Sequence, residues 1–455
     1  MPDSGRDAAL AAAGRTVYDP ATYERRVPYA ELALLREAGS VHFLEEPPLL
    51  GWPGGQGFWA VFGHREVKVV LRDARRYSSW LGGTQIHDYE PSDLAEVRQQ
   101  LLNSDPPEHT RLRNLVAAAF TPRAVARLEA RIRSRAELLV GEVAAQGEAD
   151  LALVAADLPL FTLAELLGVP ISDRGLLFDW SNRVIGYQDP DYAASSAFRP
   201  GQGSPMAERA LAARPQPDAR GRLPNPRSRA GMADLYAYAR ELATWKRTEP
   251  GEDVMSLLLG LAGEGVEPVT DGEFENLFWL FAVAGNETLR NGIPGALATL
   301  AEHPEMQDLL RAEPSRRNRA VEELLRFWPP VLHFRRTATE DHRLGSVGVR
   351  RGDKVVVFHG AANRDPRVFD HPDELDVRRW PNDHVTFGFG PHFCLGAHLA
   401  RVQLRAFVGT VLDQLGPFSL AGAPVRLRSN FQNGIKHLPL SWEQRRDGRA
   451  RPARG

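Results

Sequence analysis

The sequence predicts a mainly α-helical fold with a minor β region. Apolar residues recur at the three- and four-residue spacing of a buried helix face through most of the 455-residue chain. Short runs rich in aromatic and β-branched residues, which are typical of strands, are confined to residues 41–62 and 334–358. We find no internal repeat and no clean linker between two cores.

The first half of the chain is predicted to begin with a loose segment and then to form helices around two strands. Residues 1–20 are small and polar, which indicates a flexible N-terminus. The elements that we expect next are a helix over 28–39, strands over 41–44 and 57–62, a helix over 66–71, a helical region over 107–147 that is broken at 121–122, and a helix over 151–167.

The second half begins with a segment of a different composition. Residues 199–230 are rich in Pro, Arg, Gly and Ser and lack apolar periodicity, so we predict a long flexible loop that is either a lid or a tolerated insertion. The elements that follow are helices over 231–247, 271–300 and 315–327, strands over 334–337, 347–349 and 354–358, a helix over 395–416, and a flexible Arg-rich tail over 444–455. Pro294 is expected to kink or shorten the 271–300 helix.

Composition excludes several classes of protein. Hydrophobic residues make up 43% and charged residues 25%, which is ordinary for a globular protein and excludes a disordered or collagen-like chain. Lys and Arg total 56 against 58 Asp and Glu, without the basic excess that general nucleic-acid binders carry. The longest apolar run near a helix core, over 277–285, is far shorter than a membrane span, so we expect no membrane anchor. The single cysteine, Cys394, excludes an intrachain disulfide and favours a cytoplasmic location.

That cysteine lies in a glycine-rich turn, over 387–396, that leads directly into a helix. Glycines let the backbone approach a bulky group, and the start of a helix places free N–H groups beside the sulfur, which favours the thiolate. Cys394 is then a small buried apolar residue, a nucleophile with His392 as its base, or the thiolate ligand of a haem iron. The third interpretation fits best because it needs only one protein ligand.

The 271–300 helix carries a second unusual segment. Its apolar face continues into Ala-Gly-Asn-Glu-Thr over 284–288. Ala284 and Thr288 are four residues apart and share a face, while Gly285 lets a flat group lie against the backbone. A glycine there costs about 1 kcal/mol relative to alanine, which argues for a functional reason.

Residues 387–396 resemble the haem-binding loop of the cytochrome P450 family, and residues 284–288 resemble the oxygen-activation motif of its distal helix. The resemblance implies haem b with an axial thiolate from Cys394. It also implies that Thr288 orders hydrogen bonds to bound dioxygen and that Glu287 relays protons. The other residues that it places at the cofactor are His109, Arg113, Ala284, Gly285, Arg336, Phe387, Gly388, His392 and Gly396.

The same resemblance implies a structural ion network and a substrate pocket. Glu323 and Arg326, at the i, i+3 spacing, resemble the family's buried Glu-x-x-Arg motif, with Arg379 as the third member. Their role would be to lock the segment that carries the thiolate. The residues in segments that resemble the family's pocket walls are Trp80, Phe278, Phe281, Ala282, Leu332, Phe334 and Phe431. The implied fold is a single large triangular prism, here over residues 21–443.

The function that the resemblance implies is that of a haem-thiolate monooxygenase. Such an enzyme activates dioxygen with two externally supplied electrons and hydroxylates a lipophilic molecule, here a sterol, lipid, terpene, polyketide or aromatic natural product. A ferredoxin and its reductase would supply the electrons and dock near Arg401 and Arg405, although both are equally well read as solvated arginines. The alternative is a haem-thiolate protein that binds or senses a ligand without turnover, against which the pair Glu287 and Thr288 argues.

Overall fold

The structure is a computed structural model that describes residues 4–221, 223–260 and 268–443. The tail predicted over 444–455 lies outside the described residues. The α-helices are α1 (Ser4–Tyr18), α2 (Pro20–Arg25), α3 (Tyr29–Ala38), α4 (His64–Arg72), α5 (Pro91–Val97), α6 (Glu108–Ala117), α7 (Pro122–Val143), α8 (Leu151–Leu167), α9 (Arg174–Ile185), α10 (Pro190–Ala194), α11 (Pro205–Leu211), α12 (Ala233–Thr248), α13 (Val254–Leu259), α14 (Asp271–Ala301), α15 (Pro304–Ala312), α16 (Arg317–Phe327), α17 (His359–Ala362) and α18 (Ala397–Gln414). The strands are β1 (Val41–Leu44), β2 (Phe58–Val61), β3 (Tyr77–Ser78), β4 (Glu148–Asp150), β5 (His333–Ala338), β6 (His342–Leu344), β7 (Val347–Val349), β8 (Lys354–Phe358), β9 (Phe418–Leu420), β10 (Val425–Arg426), β11 (Ile435–His437) and β12 (Pro439–Trp442).

Helix α14 runs through the middle of the helical core. It begins with a capping box. The Thr270 hydroxyl accepts a hydrogen bond from the Glu273 backbone N–H, and the Glu273 carboxylate accepts one from the Thr270 backbone N–H. Helices α8, α9, α12 and α18 pack around it, and α18 also packs on α7. The expectation that Pro294 shortens α14 is wrong, because the helix continues for 31 residues. Every residue from Leu289 to Leu300 is buried, so packing on all sides holds the helix across its missing hydrogen bond.

The largest sheet has five strands and holds β5 between two of them. Its strand order is β1-β2-β8-β5-β3, with β2 and β8 parallel and the other neighbours antiparallel. In the register of β5 on β8, Phe334 pairs with Val357 and Arg336 with Val355. Because side chains alternate along a strand, Phe334 and Arg336 lie on one face and His333 and Arg335 on the other.

Residues 4–18 form helix α1, contrary to the expectation of a loose segment over 1–20, of which residues 1–3 lie outside the described residues. Helix α1 packs against α3, and its Ala13, Val17 and Tyr18 are buried in a cluster with residues of the largest sheet. The Tyr18 hydroxyl donates to the Pro47 carbonyl at 3.1 Å. The alanine-rich sequence of α1 has little amphipathic contrast, so its burial depends on contacts that the local pattern does not show.

The segment predicted as a flexible loop over 199–230 also differs from that expectation. It contains helix α11. The backbone N–H of Ala207, in the first turn of this helix, donates to the Ser204 hydroxyl at 3.2 Å. Met206 and Ala210 bury their side chains in the helical core. The other described residues of the segment are mostly irregular.

The other predicted helices and strands are present within a few residues of their expected bounds. Periodicity succeeded there because these elements pack one clear apolar face on the core. Within the described parts of the chain, no helix is both long enough and apolar enough to cross a membrane.

Candidate functional site

A stripe of accessible residues crosses the middle of α14. Ala284 is exposed, and Leu280 and Thr288 are partly exposed, although the flanking residues are buried. These residues are spaced by four, so they lie along one face of the helix. An accessible stripe on a core helix means that this face borders an internal space. Leu280 was missed in the sequence because it continues an apolar run; its spacing from Ala284 is the only signal.

Gly285 lies where α14 packs on α8, and its expected place beside a flat cofactor stays a prediction. A Cβ at this position would come within 2.8 Å of the Leu163 side chain, so the glycine permits close packing of α14 on α8. Its α-carbon therefore faces a neighbouring helix. The stripe formed by Leu280, Ala284 and Thr288 remains the part of α14 on which a flat group can lie.

Two of the expected pocket residues on α14 belong to the core. Phe278 is fully buried, with its ring 5.7 Å from that of Tyr238 and 6.1 Å from that of Trp180. Ala282, four residues later on the same side, is also fully buried. Phe281 lies nearer the accessible stripe and contacts the Phe120 ring at 5.4 Å. The sequence cannot distinguish these faces because residues on both sides of the helix are apolar.

The Glu287 carboxylate is held in a buried polar network beside the stripe. It accepts hydrogen bonds from the Tyr192 hydroxyl at 2.7 Å and the Ser181 hydroxyl at 3.1 Å. The Arg290 guanidinium lies 3.1 Å from the same carboxylate. Thr288, the next residue, instead donates to the Ala284 carbonyl at 3.2 Å. Ser181 and Tyr192 come from α9 and α10, so no local sequence pattern could reveal them.

The loop before α18 presents Cys394 to the protein interior. The Cys394 N–H donates to the Phe387 carbonyl at 2.9 Å, which closes the turn. Gly388 and Gly390 have φ of +73° and +74°, and a Cβ on Gly390 would lie 2.6 Å from the Leu71 carbonyl oxygen. Gly396, in contrast, has open space where a Cβ would stand. Only the first two glycines are therefore required by the backbone.

Cys394 is surrounded by protein atoms, yet part of its surface is solvent-accessible, as expected for a side chain on the wall of an internal space. Burial raises the pKa of its thiol, and this outweighs the lowering by the Gly396 N–H and by the charges of Arg113 and Arg401. The Gly396 N–H at the helix start lowers the pKa as expected, but burial has the larger effect, so the turn by itself does not make the thiolate the favoured form. A bound metal cation would supply the missing stabilisation of the thiolate.

Four nitrogen-bearing side chains converge beside the cysteine loop. The rings of His109 and His392 lie 4.0 Å apart, and the Arg113 guanidinium donates to the Phe393 carbonyl at 2.7 Å. Arg336 is only 3% exposed, and its Nη1 donates to the Arg335 carbonyl at 2.8 Å. These residues come from α6, β5 and the turn before Cys394, and the structure brings them together as predicted.

This cluster carries more positive charge than its surroundings balance. Burial lowers the pKa of Arg336 to about 10, and burial with the charge of Arg113 lowers the pKa of His109 to about 4. Burial and the charge of Arg336 also hold the pKa of His392 well below its usual value. His109 Nδ1 has no hydrogen-bond partner within the described residues. Such a cluster suits a ligand that carries carboxylates.

The ion network of Glu323, Arg326 and Arg379 forms as predicted. Arg326 donates to both Glu323 oxygens at 2.8 Å, and Arg379 Nε lies 3.2 Å from each of them. Two asparagines complete it. Asn382 donates to Glu323 at 2.9 Å, and the Asn363 carbonyl accepts from Arg326 at 2.8 Å. Asparagines at these positions have no distinguishing sequence pattern.

Asn363 connects this network to the cysteine loop. Its side-chain oxygen accepts from the Val385 N–H at 2.8 Å, and its side-chain amide donates to the Thr386 hydroxyl at 2.8 Å. Thr386 immediately precedes Phe387, whose carbonyl holds the Cys394 N–H. The buried charges therefore fix the start of the turn that carries the cysteine.

An apolar wall is formed by residues that are far apart in sequence. The Leu332 N–H donates to the Phe431 carbonyl at 2.9 Å, and the rings of Phe334 and Phe431 lie 5.7 Å apart. Trp80 is 44% exposed, with the Arg98 guanidinium 4.0 Å from its ring. Its neighbour Ser79 contacts His392 at 3.3 Å, so Trp80 adjoins the cationic cluster.

The two arginines expected on a docking face are already paired. Arg401 forms hydrogen bonds of 2.6 Å and 2.7 Å with Glu322. Arg405 pairs with Glu129 at 2.9 Å. Their charges are therefore largely neutralised within the protein, and their expected role in attracting a redox partner loses its basis.

We predict that Arg336→Gln weakens haem binding by about tenfold or more, because a buried charge-assisted contact to a carboxylate is lost. Haem titration of the apoprotein, followed by absorbance, measures the change. Arg98→Gln, which removes an arginine next to Trp80, is the matched control and should leave haem affinity unchanged. Equal haem affinity in wild type and Arg336→Gln would contradict the placement of Arg336 at the cofactor.

Comparison with known proteins agrees with this geometry. A family model described as cytochrome P450 matches residues 240–416. The chain is 36% identical over 435 residues to a steroid C26-monooxygenase of Mycobacterium tuberculosis, covering 94% of this chain and 92% of the relative. It is 34% identical over 428 residues to linalool 8-monooxygenase of Pseudomonas putida, covering 92% and 97% of the two chains.

A solved structure is similar over nearly the same length. A cytochrome P450 of Mycobacterium marinum, determined in complex with pseudoionone, superposes with a TM-score of 0.78 at 36% identity and covers 91% of this chain and 94% of its own. With an accessible cysteine in a glycine-rich turn and relatives aligned over almost its whole length, the chain belongs to the cytochrome P450 family of monooxygenases.

Proposed function

We propose that this chain binds haem b through the Cys394 sulfur and hydroxylates a lipophilic small molecule. The observation that carries this proposal is the buried cationic cluster next to the cysteine loop. Arg336 and His109 have polar atoms that no carboxylate of the described residues pairs directly. The two haem propionates would provide those partners, while the Ala284 stripe of α14 leaves room for a planar ring.

When bound, haem supplies the iron chemistry that activates dioxygen with two electrons. The residues of this chain would hold it and control protons. Cys394 would be the axial ligand, with its turn fixed by Phe387 and the ion network. His109, Arg113 and Arg336 would hold the propionates, with His392 beside them.

Proton supply would depend on two neighbouring side chains of α14. The Thr288 hydroxyl lies on the accessible stripe and can exchange its bond to the Ala284 carbonyl, at 3.2 Å, for a bond to a bound molecule or water. Glu287 faces the other way and is held by Tyr192 and Ser181. We therefore assign Thr288 the direct role, whereas Glu287 would act through movement of its carboxylate out of that network.

The substrate class follows from the apolar wall and the relatives. Leu332, Phe334 and Phe431 offer aliphatic and aromatic surface. Relatives are a steroid C26-monooxygenase and a linalool 8-monooxygenase. We propose a sterol, lipid or terpene as substrate, with a polyketide or an aromatic natural product as further members of the same apolar class.

Electrons would come from a separate protein. We propose a ferredoxin and a ferredoxin reductase as donors. The proximal surface near Cys394 would receive the ferredoxin through residues other than the paired Arg401 and Arg405. A single cysteine suits the reducing cytoplasm, where we place this reaction.

Product formation with a supplied ferredoxin and reductase tests this function. The wild-type protein should show the carbon monoxide difference band of a thiolate-ligated haem and convert a steroid or terpene to a hydroxylated product. Thr288→Ala should keep the band but lose about 100-fold in product formation, because a proton donor at bound dioxygen is removed.

A second threonine on α14 provides the matched control. The Thr299 hydroxyl makes the same bond to the carbonyl four residues earlier, at 2.8 Å, but is buried away from the stripe. Thr299→Ala should keep both the band and the product rate. A protein with the band that binds these ligands without forming product would instead be a sensor or binding protein, and our proposal would fail.

A further inference from the structure

Arg227, in the segment over 199–230, is a buried arginine that forms no ion pair with a carboxylate of the described residues. It is 9% exposed, and its guanidinium lies over the Tyr187 ring at 4.9 Å. No acceptor among the described residues lies within hydrogen-bonding distance of its Nη2. The position is fixed, because the Arg229 N–H donates to Glu96 at 2.7 Å and Asn225 donates to Asp93 at 2.7 Å.

The carboxylates beside His87 are already paired with other cations. Lys354 lies 2.7 Å from Glu46 and 2.7 Å from Asp88, and Arg335 lies 2.7 Å from Asp88. Asp93 and Glu96 instead accept hydrogen bonds from Asn225 and from the Arg229 backbone. No carboxylate of the described residues forms an ion pair with Arg227, and a buried charge without a partner is costly unless a ligand pairs with it.

Two histidines beside Arg227 also have unsatisfied nitrogens. His87 is stacked on Trp52 at 5.5 Å between ring centroids, and its Nδ1 lies 3.7 Å from the Glu46 carboxylate, beyond hydrogen-bonding distance. His333 is 2% exposed and lies beside the Asn430 side chain, but neither ring nitrogen has a hydrogen bond of normal geometry among the described residues.

Burial and neighbouring charges keep both histidines neutral. Burial, with the charge of Arg227 next among the causes, lowers the pKa of His87 to about 4. The pKa of His333 is lowered to about 3, chiefly by burial and His359, with a smaller contribution from Arg227. The contacts of Arg227 agree with this placement, because its guanidinium lies over Tyr187 and the next residue, Gln188, donates to Asn430 at 3.0 Å, directly before Phe431. At neutral pH each ring offers one N–H donor without adding charge.

This group of residues is continuous with the apolar wall. The His333 ring lies 5.4 Å from that of Phe431, which contacts Phe334 at 5.7 Å. A lipophilic molecule lying against Phe431 could therefore extend a polar end towards Arg227. We propose that Arg227, with His87 and His333 as neutral donors, binds a carboxylate or similar anionic group at one end of the lipophilic substrate. This inference rests on the proposed function and narrows its substrate class to lipophilic acids.

The test compares each of two acids with its uncharged methyl ester. The probes are hexadecanoic acid and lithocholic acid, which represent a linear and a steroid skeleton, and binding is measured by titration calorimetry of the haem-loaded protein at neutral pH. In wild type at least one acid should bind about tenfold more tightly than its ester, because a charge-assisted contact is gained.

Variants then assign this preference to Arg227. Arg227→Gln should reduce the acid-to-ester ratio to about one, mainly by weakening the acid, while Arg227→Lys should keep most of it. Arg199→Gln removes an exposed arginine of the same segment and should leave the ratio unchanged. Circular dichroism and haem content verify that each variant is folded.

The outcome separates this inference from the proposed function. Esters that bind as tightly as their acids in wild type, or an unchanged ratio in Arg227→Gln, would overturn the anionic subsite even if hydroxylation proceeds. The absence of binding by either acid would overturn it as well. Loss of the carbon monoxide band or of product, in contrast, would count against the proposed function alone, because the calorimetric ratio does not require turnover.

Discussion

Cys394→Ser should eliminate the thiolate signature of the bound haem and reduce product formation by about 1,000-fold or more. A serine hydroxyl is almost the same size but is not ionised at neutral pH, so it cannot replace the sulfur as a strong axial ligand. The effect should exceed that of Thr288→Ala because the ligand affects every later step, whereas the threonine affects only proton supply. The carbon monoxide difference spectrum and the rate with ferredoxin measure it.

The fold should survive this substitution. Two hydrogen bonds of Cys394 within the turn use its backbone: its N–H donates to the Phe387 carbonyl at 2.9 Å, and its carbonyl accepts from the Ala397 N–H at 3.4 Å. The Gly396 N–H contacts the sulfur, and a serine oxygen can accept that bond as well. Far-ultraviolet circular dichroism should therefore be unchanged in the apoprotein. A serine variant that keeps the thiolate band, the haem content and the rate would refute the assignment of Cys394 as the ligand.

The sequence predicted elements well where a run of large apolar residues is buried in the core. The helix over 151–167 has the same bounds in the structure because α8 is apolar and ends at Gly168, which adopts φ of +63°. Helix α1 and α11 were missed for the opposite reason. Their small residues give little contrast between faces, and their burial depends on partners elsewhere in the chain.

The candidate site was predictable as a set of residues but not as a geometry. The cationic cluster and the Glu323 network could be placed because each motif resembles one of a known family. The sequence could not predict which way each face of α14 points. Phe278 and Phe281 are equally apolar, yet Phe278 packs on Tyr238 and Phe281 packs on Phe120. The sequence also could not predict where the Glu287 side chain points, because its hydrogen-bond partners are about a hundred residues away along the chain.

The ion network adds a physical reason for the rigidity of the cysteine turn. A ligand sulfur must be held in one place, and a glycine-containing turn is intrinsically flexible. Arg326 counters this flexibility by holding carbonyls of Asn363 and Pro372 at 2.8 Å and 2.7 Å. Asn363 then holds Val385 and Thr386 just before the turn. Stability and ligand geometry are thus coupled through one buried carboxylate, Glu323.

Glu323→Gln should lower the free energy of unfolding by about 3–5 kcal/mol, because it leaves the fully buried Arg326 and the adjoining Arg379 without their carboxylate. Urea unfolding followed by circular dichroism measures the loss. The matched control is Glu313→Gln, which has the same i, i+3 spacing to Arg316 but is 44% exposed. It should cost less than about 1 kcal/mol, because an exposed pair is screened by water.

The pH dependence of stability provides an independent check on the same carboxylate. Burial alone would raise the pKa of Glu323, but the hydrogen bond and charge of Arg326 hold it below the usual 4.5. A carboxyl group whose pKa is depressed in the folded state stabilises the protein above its unfolded-state pKa and loses that contribution as pH falls through the folded-state value. Wild type should therefore lose stability below about pH 4.5. Glu323→Gln should lose less over the same range, and an equal acid dependence of the two proteins would show that Glu323 is not the charge that holds this network.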